Sequence, residues 1–324
     1  MAGIENAEIE AAETQAAGAG VGAGAGRPRR RAPRFLLAIP AWFLFVFFFA
    51  VPVLFIFYYS FGYKPDIFRT IATDHLSFDR YGDSFSDTFR DVFSGTLQVS
   101  LTGTLLCLLI GFPFAYWLAV KVPARWRGLL LGLTIVPFWT NFLVRTLGWL
   151  ILLQPNGPLS GVLQDLHLIG SPLDILDTRE AVQLGVVYNY LPLMIFPLFV
   201  ALDRLDPALR EASKDLGANR WRTFRQVTLP LASPGVIAGL LLVFIPLTGD
   251  YITALVLGGA KGNMVGALVA SQFNTAQNWA LGSAMAVILI LMILGTVAIF
   301  AAIGLVGRAL IQRRRRVEIA VEPA

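Results

Sequence analysis

The chain has 324 residues, 56% of them hydrophobic and only 15% charged, with a mean hydropathy of +0.66. A soluble domain of this length carries about a quarter charged residues, so the composition excludes an ordinary soluble globular protein and points to a membrane. The lone cysteine, Cys107, allows no internal disulfide, no Cys/His metal spacing exists, and the net charge of +5 calls for no nucleic acid partner.

Residues 1–34 open the chain as an Ala/Gly-rich tail that ends in the basic flank "RPRRRAPR". Such a composition buries no core and predicts a solvated, disordered extension. Six apolar runs follow, each long enough to cross a bilayer: Phe35–Phe61, Gly95–Val120, Gly128–Leu152, Ala181–Leu202, Pro234–Leu257 and Gly282–Val306. The first is too long for a signal-peptide core and has no cleavage pattern after it, so it reads as an uncleaved anchor. Between the first two runs, the segment 62–94 carries Phe78, Tyr81, Phe85 and Phe89 and predicts short helices capping the membrane domain. Pro113, Pro137, Pro192, Pro197 and Pro246 lie inside runs, as membrane helices tolerate when neighbours satisfy the freed backbone. His75 and His167 stand alone in polar segments and read as surface residues. The predicted membrane domain spans 35–310, and 311–324 form a basic C-terminal tail.

The basic residues set the orientation. Arg27–Arg34, Lys121–Arg127, Arg204–Arg225 and Arg308–Arg316 hold 19 of the 26 lysines and arginines. They fall on alternate sides of successive runs, which places all four, and both termini, in the cytoplasm. Segments 62–94, 153–180 and 258–281 then face outward.

The cytoplasmic loop 203–232 is helix-prone rather than a plain connection. Asp206 suits a helix cap and Pro207 its first position, and Gly217 suits the C-terminal stop. Leu209, Ala212 and Leu216 share one face of this helix. A second helix is expected from Asn219, with Trp221, Phe224 and Val227 or Thr228 on one face and Arg220, Arg222 and Arg225 around the rest. Leu229-Pro230 is expected to break it, with Ser233-Pro234 opening the fifth span. Periodicity alone leaves two roles open, a helix lying on anionic lipid and a docking element for a cytoplasmic partner.

The stretch "EASKDLGANRWRTFRQVTLP" resembles the EAA motif of ABC importer permeases. Glu211, Ala212 and Ser213 stand for Glu-Ala-Ala, followed at the family's spacing by Gly217, Val227, Leu229 and Pro230. Ser213 and Val227 are mild departures. "VPFWTNFLVRTLGWLILL" from Val136 and "GDYITALVLGGAKGNMVGALVASQFNTAQNWALGSAMAVILIL" from Gly249 look like the polyamine (spermidine/putrescine) branch of these permeases. The resemblance covers roughly residues 35–310. It implies an all-α, MetI-like type I importer permease of six spans in a bacterial inner membrane. Its implied partners are a second permease subunit, two ATP-binding cassette ATPase subunits, an extracytoplasmic solute-binding protein and a small organic solute. The chain has no phosphate-binding "GxxxxGK[ST]" loop, so it is expected to be non-catalytic and to bind no cofactor, ATP and Mg being held by the ATPase subunits. Residues 211–213, 217, 227, 229 and 230 are then the coupling lever, and a bulky residue at Gly217 should disturb coupling more than folding.

Two charges, Arg145 and Asp250, fall inside runs, where ionisable groups are expensive and suggest function. Each sits about 24–26 Å from the cytoplasmic end of its run at 1.5 Å per residue, which gives them a common depth. Asp250 and Tyr251 offer a carboxylate and an aromatic face to a cationic solute. Alternatively, Arg145 and Asp250 neutralise each other or sit at the headgroup boundary. Asn141, Asn189 and Tyr190 suit either a pathway lining or interhelical hydrogen bonds. The spans alone also fit an importer for another small solute or a secondary transporter. A membrane enzyme finds no convergent catalytic set.

Overall fold

The computed structural model describes residues 34–84, 86–259 and 261–320. Most of the expected N-terminal tail and the last four residues lie outside these. The chain divides into two units, Met1–Val53 and Leu54–Ala324. In the first, α1 (Arg34–Phe45) continues through a π turn at Val46–Ala50, with Pro40 inside it. Successive turns stack aromatic rings, Phe43 on Phe47 and Phe45 on Phe49. The helix runs on over Val51–Tyr59, and its apolar stretch, Ala38–Tyr59, has the length of a span.

In the second unit the elements are α2 (Asp79–Asp83), α3 (Asp87–Val120), α4 (Ala124–Ile135), α5 (Phe142–Leu153), α6 (Pro158–Asp165) and α7 (Arg179–Asp203). Then come α8 (Pro207–Asp215), α9 (Arg220–Thr223), α10 (Leu229–Thr248), α11 (Ile252–Leu257), α12 (Val265–Asn274) and α13 (Trp279–Ala320). Among the described residues, five helices are long and apolar enough to cross a membrane, or six if one bent pair counts as a single span.

Helices α3, α7 and α10 form the core. Every fourth residue of α7 from Val182 is buried: Val182, Val186, Tyr190, Met194, Leu198 and Leu202. The facing ridge of α3 has the same spacing with small residues at Gly103, Cys107, Gly111, Ala115 and Ala119, all buried. Large side chains on one ridge settle over small ones on the other, so the backbones approach closely, as membrane helices must when lipid supplies no hydrophobic drive between them. Gly103 faces Val186 and Gly111 faces Met194, so the two helices advance together and run parallel. Helix α10 packs by the same device. A Cβ on Gly235 would collide with Ala201 and sit 2.7 Å from the Pro197 carbonyl oxygen. Gly235→Ala is therefore expected to cost roughly 1–3 kcal/mol by overpacking, read as a lower apparent Tm of the purified chain. An unchanged melting curve would refute this packing.

Four expectations are corrected, three in the long helices and one in the outer segment. The third run is not one straight helix. It bends by 86° after the 3-10 turn Val136–Trp139, at a break where the Asn141 side chain accepts a 2.8 Å bond from the Leu143 N–H and starts α5. The fifth run ends at Thr248, because Asp250 turns its carboxylate onto Thr253, accepting from its N–H (3.0 Å) and hydroxyl (2.6 Å) and so opening α11. Leu229-Pro230 does not break the second loop helix. A π turn over Phe224–Thr228 joins α9 to α10, with the Leu229 N–H bonded to the Phe224 carbonyl five residues back. The wider turn carries the helix past Pro230, which has no N–H to donate.

The outer segment 62–94 also differs from a set of capping helices. It holds one turn, α2, an antiparallel bridge between Tyr63 and Ala72, and the extended start of α3. Buried Thr96 ties α3 to the distant α12 by accepting the Val265 N–H at 2.9 Å. His75 and His167 are exposed.

Candidate functional site

The loop between α7 and α10 is an elbow with every joint capped. Asp206 accepts from the Ala208 N–H at 2.9 Å, and Pro207 follows as the first helical residue. At the far end Ala218 N–H bonds the Ser213 carbonyl and Gly217 N–H bonds the Lys214 carbonyl, a Schellman stop. Gly217 has φ +82°, a left-handed conformation that side chains resist. Asn219 caps α9 through the Arg222 N–H at 2.8 Å. The Ser213 and Thr223 hydroxyls meet at 3.1 Å and hold the two arms together. Phe224 fixes the elbow to the end of α3, edge-on to Phe112 and Tyr116 with ring centres 5.6 and 6.0 Å away. Nearby, Arg127 and Asp203 form a 2.6 Å ion pair between the start of α4 and the end of α7.

Helix α8 has two unlike faces. Leu209, Ala212 and Leu216 are exposed on one, with Leu216 89% accessible. The opposite face, with Arg210, Glu211 and Lys214, lines a cavity of about 550 Å³ closed by Tyr116, Trp221 and Phe224. Val227 and the Leu229–Pro230 pair lie on the helical join below the elbow.

The intramembrane polar residues converge on α5, α7 and α11, but not as an ion pair. Among the described residues Arg145 and Asp250 form no salt bridge. Arg145 instead lies over the Phe138 and Phe142 rings, 4.9 and 5.6 Å from their centres, and its buried Nε and Nη1 have no partner. Tyr190 is within electrostatic reach of both charges, and its hydroxyl donates to the Pro246 carbonyl at 3.4 Å. Asn189 donates to Thr146 at 3.3 Å and leaves its own oxygen unpartnered. Asp250 is buried and held by Thr253, whereas the neighbouring Tyr251 is 45% exposed. Asn141 is occupied as a helix cap.

A larger groove, of about 720 Å³, opens along α3 and α7 with Trp149 of α5 at its side. Glu180 and Arg179 stand at one end, Gln98, Thr102 and Gln183 follow, and Leu106 and Leu191 close it. Thr102 donates to the Gln183 carboxamide oxygen at 2.8 Å, while the Gln183 Nε2 is buried without a partner. Trp149 and Tyr188 meet edge to face, ring centres 5.4 Å apart. The groove thus presents an aromatic pair, amide groups and two charges of opposite sign, Glu180 and Arg179, at one end, with the aromatic faces able to receive an ammonium group. None of these side chains was singled out by the sequence. The available signal was a stripe, Glu180–Gln183–Val187–Tyr188–Leu191 on one helix and Gln98–Thr102–Leu106 on another, polar at its outer end.

The comparisons agree with this architecture. Residues 111–315 match the family model described as "Binding-protein-dependent transport system inner membrane component". The chain is 42% identical over 212 residues to the spermidine/putrescine transport system permease protein PotB of Haemophilus influenzae, covering 65% of this chain and 74% of that protein. It is 40% identical to PotB of Escherichia coli K12, covering 66% and 78%, and 30% identical to the inner membrane ABC transporter permease protein YdcU of the same organism, covering 71% and 77%. Among solved structures, a bacterial ABC transporter that imports the acidic polysaccharide alginate aligns with a TM-score of 0.68 at 16% identity, over 83% of this chain and 93% of that one, a likeness of fold. With a family match over most of its length and apolar helices that repeat the membrane architecture, the chain belongs to the family of inner membrane components of binding-protein-dependent transport systems.

Proposed function

We propose that this chain is one permease subunit of an ATP-driven importer whose cargo is a polyamine of the spermidine/putrescine type. The carrying observation is its identity of 40–42% with two spermidine/putrescine permeases over about two thirds of its length. The partners of the proposal are a second permease subunit, two ATPase subunits that hold ATP and Mg, and an extracytoplasmic binding protein. This chain has no catalytic role in it. Glu211, Ala212, Ser213, Gly217, Val227, Leu229 and Pro230 form the coupling lever. The capped elbow supports this reading, since a two-state rocking of the membrane helices needs a stiff connection to the ATPase. The exposed apolar face of α8, Leu209–Ala212–Leu216, is the surface that meets the ATPase.

On the cargo side, the groove of Glu180, Trp149 and Tyr188 receives the solute. The inner cluster of Asp250, Tyr251, Arg145, Asn189 and Tyr190 lies further along the path, with Asn141 shaping the break that holds α5. Thr253 orients the Asp250 carboxylate through one hydrogen bond to each oxygen and leaves further lone pairs on both to meet a cation. The test is uptake by the assembled transporter in proteoliposomes. Spermidine uptake driven by internal or external ATP, as orientation requires, is the expected result. Transport of neutral or anionic solutes without spermidine would overturn the cargo. Within that assay, Asp250→Asn should slow spermidine uptake about tenfold or more, a charge-assisted contact of roughly 1.5–3 kcal/mol being lost. Wild-type uptake by both Asp250→Asn and Arg145→Gln would remove these two charges from the path.

A further inference from the structure

We infer that the cavity inside the elbow is a headgroup site for an anionic phospholipid of the cytoplasmic leaflet. The cavity lies between α8, α9 and the last turn of α3, lined there by Tyr116, Val120 and Lys121. Val120 ends the apolar stretch of α3, so the cavity opens beside the end of that apolar stretch, where the basic Lys121–Arg127 segment begins. Four cations surround it, Lys121, Arg210, Lys214 and Arg220, against the single carboxylate of Glu211. Among the described residues none of the four belongs to an ion pair. Arg210 also holds its Nη1 buried without a hydrogen-bond partner, a donor that asks for an acceptor.

The surroundings favour a lipid over a soluble anion. Trp221 is 68% exposed and stacks on Phe224 at 5.6 Å, the arrangement of an aromatic residue seated among headgroups. Basic pockets beside membrane helices on the cytoplasmic side recognise phosphate headgroups in this way. Arg210 and Lys214, four residues apart, point into the cavity, whereas Leu209, Ala212 and Leu216 point away from it. One short helix therefore faces two occupants, with phosphate and acyl chain on its basic side and protein on its apolar side. Occupancy braces the two arms of the elbow against α3, which makes the inner-leaflet composition a determinant of the elbow's rigidity. This assignment rests on the charges and the cavity, and is independent of which solute is carried.

The test is native mass spectrometry of the purified full-length chain, alone and with its transporter partners, taken from nanodiscs of equal phosphatidylglycerol and phosphatidylcholine. The wild type should retain phosphatidylglycerol in preference. Arg210→Gln combined with Lys214→Gln should lower that retention roughly 25-fold, about fivefold for each basic side chain at a membrane surface. Lys121→Gln alone, at the C-cap of α3 and outside the elbow, should lower it about fivefold and serves if the double variant does not assemble. Equal retention of the two lipids by the wild type overturns the inference, as does an unchanged count in both variants. Displacement of the lipid by millimolar inorganic phosphate shows a soluble-anion site instead, and loss of the lipid whenever the ATPase is docked shows a protein contact instead.

Discussion

Gly217→Val is expected to leave the chain folded and inserted while abolishing uptake and the ATPase stimulation that the loaded binding protein produces. The cause is backbone rather than crowding. Gly217 has φ +82°, and a Cβ built there meets nothing within 4 Å. A β-branched residue in this left-handed region costs roughly 1–2 kcal/mol, and the chain escapes that cost by turning φ negative. Doing so breaks the two Schellman bonds from Gly217 and Ala218 and swings α9 away from α8. The Ser213–Thr223 contact that holds the two arms is then lost. The core of α3, α7 and α10 is untouched, so insertion and melting temperature stay near wild type. Gly217→Asn is the informative partner, since asparagine visits the left-handed region and should keep most of the uptake. Wild-type transport by the valine variant would sink the lever reading.

Trp149→Ala should slow spermidine uptake about tenfold at saturating binding protein, the size expected when a cation–π contact of 1–2 kcal/mol is removed. Trp149 meets Tyr188 edge to face beside the groove, so its loss opens one wall and leaves Tyr188 without its neighbour. Tyr188 is exposed and Trp149 is half-buried against the edge of the core, so the melting temperature of the Trp149 variant is measured beside its uptake. Glu180→Gln should act in the same direction, because it removes the one carboxylate of the groove and leaves Arg179 at its outer end. The control is the binding protein's own affinity for spermidine, which these changes cannot alter. ATPase stimulation should persist in both variants, in contrast to Gly217→Val, because the elbow is intact. Normal uptake by both variants would mean that the solute passes elsewhere.

The two predictions come from regions of very different legibility. The elbow was readable residue by residue, because its signals are local. Asp206-Pro207, Gly217 and Asn219 each act within four residues of themselves, and the helix stop at Gly217 follows from backbone sterics that no tertiary contact is needed to enforce. The π turn was not readable. Pro230 signals a break in a linear pattern, but a helix continuing into a membrane span keeps its axis by widening one turn instead. The same limit applied to the span from Pro234, where apolar residues run past Thr248 and only the fold of Asp250 onto Thr253 shows that the helix has ended.

From the sequence alone came the six apolar runs, an expected orientation from the alternating basic segments, the capped elbow and the EAA pattern. All of these depend on composition or on spacing along one stretch of chain. Which polar residues share a site depended on the tertiary structure. Gln98, Trp149, Glu180 and Tyr188 come from three helices, and they meet because small residues on α3 let α7 approach closely enough to leave a groove at one side. Arg145 and Asp250, placed at one depth by counting residues, share a neighbourhood without pairing, because two phenyl rings take the guanidinium and Thr253 takes the carboxylate. A hydrophobic run declares that it will be buried, but the partner a buried polar atom finds is settled by which helices lie beside it.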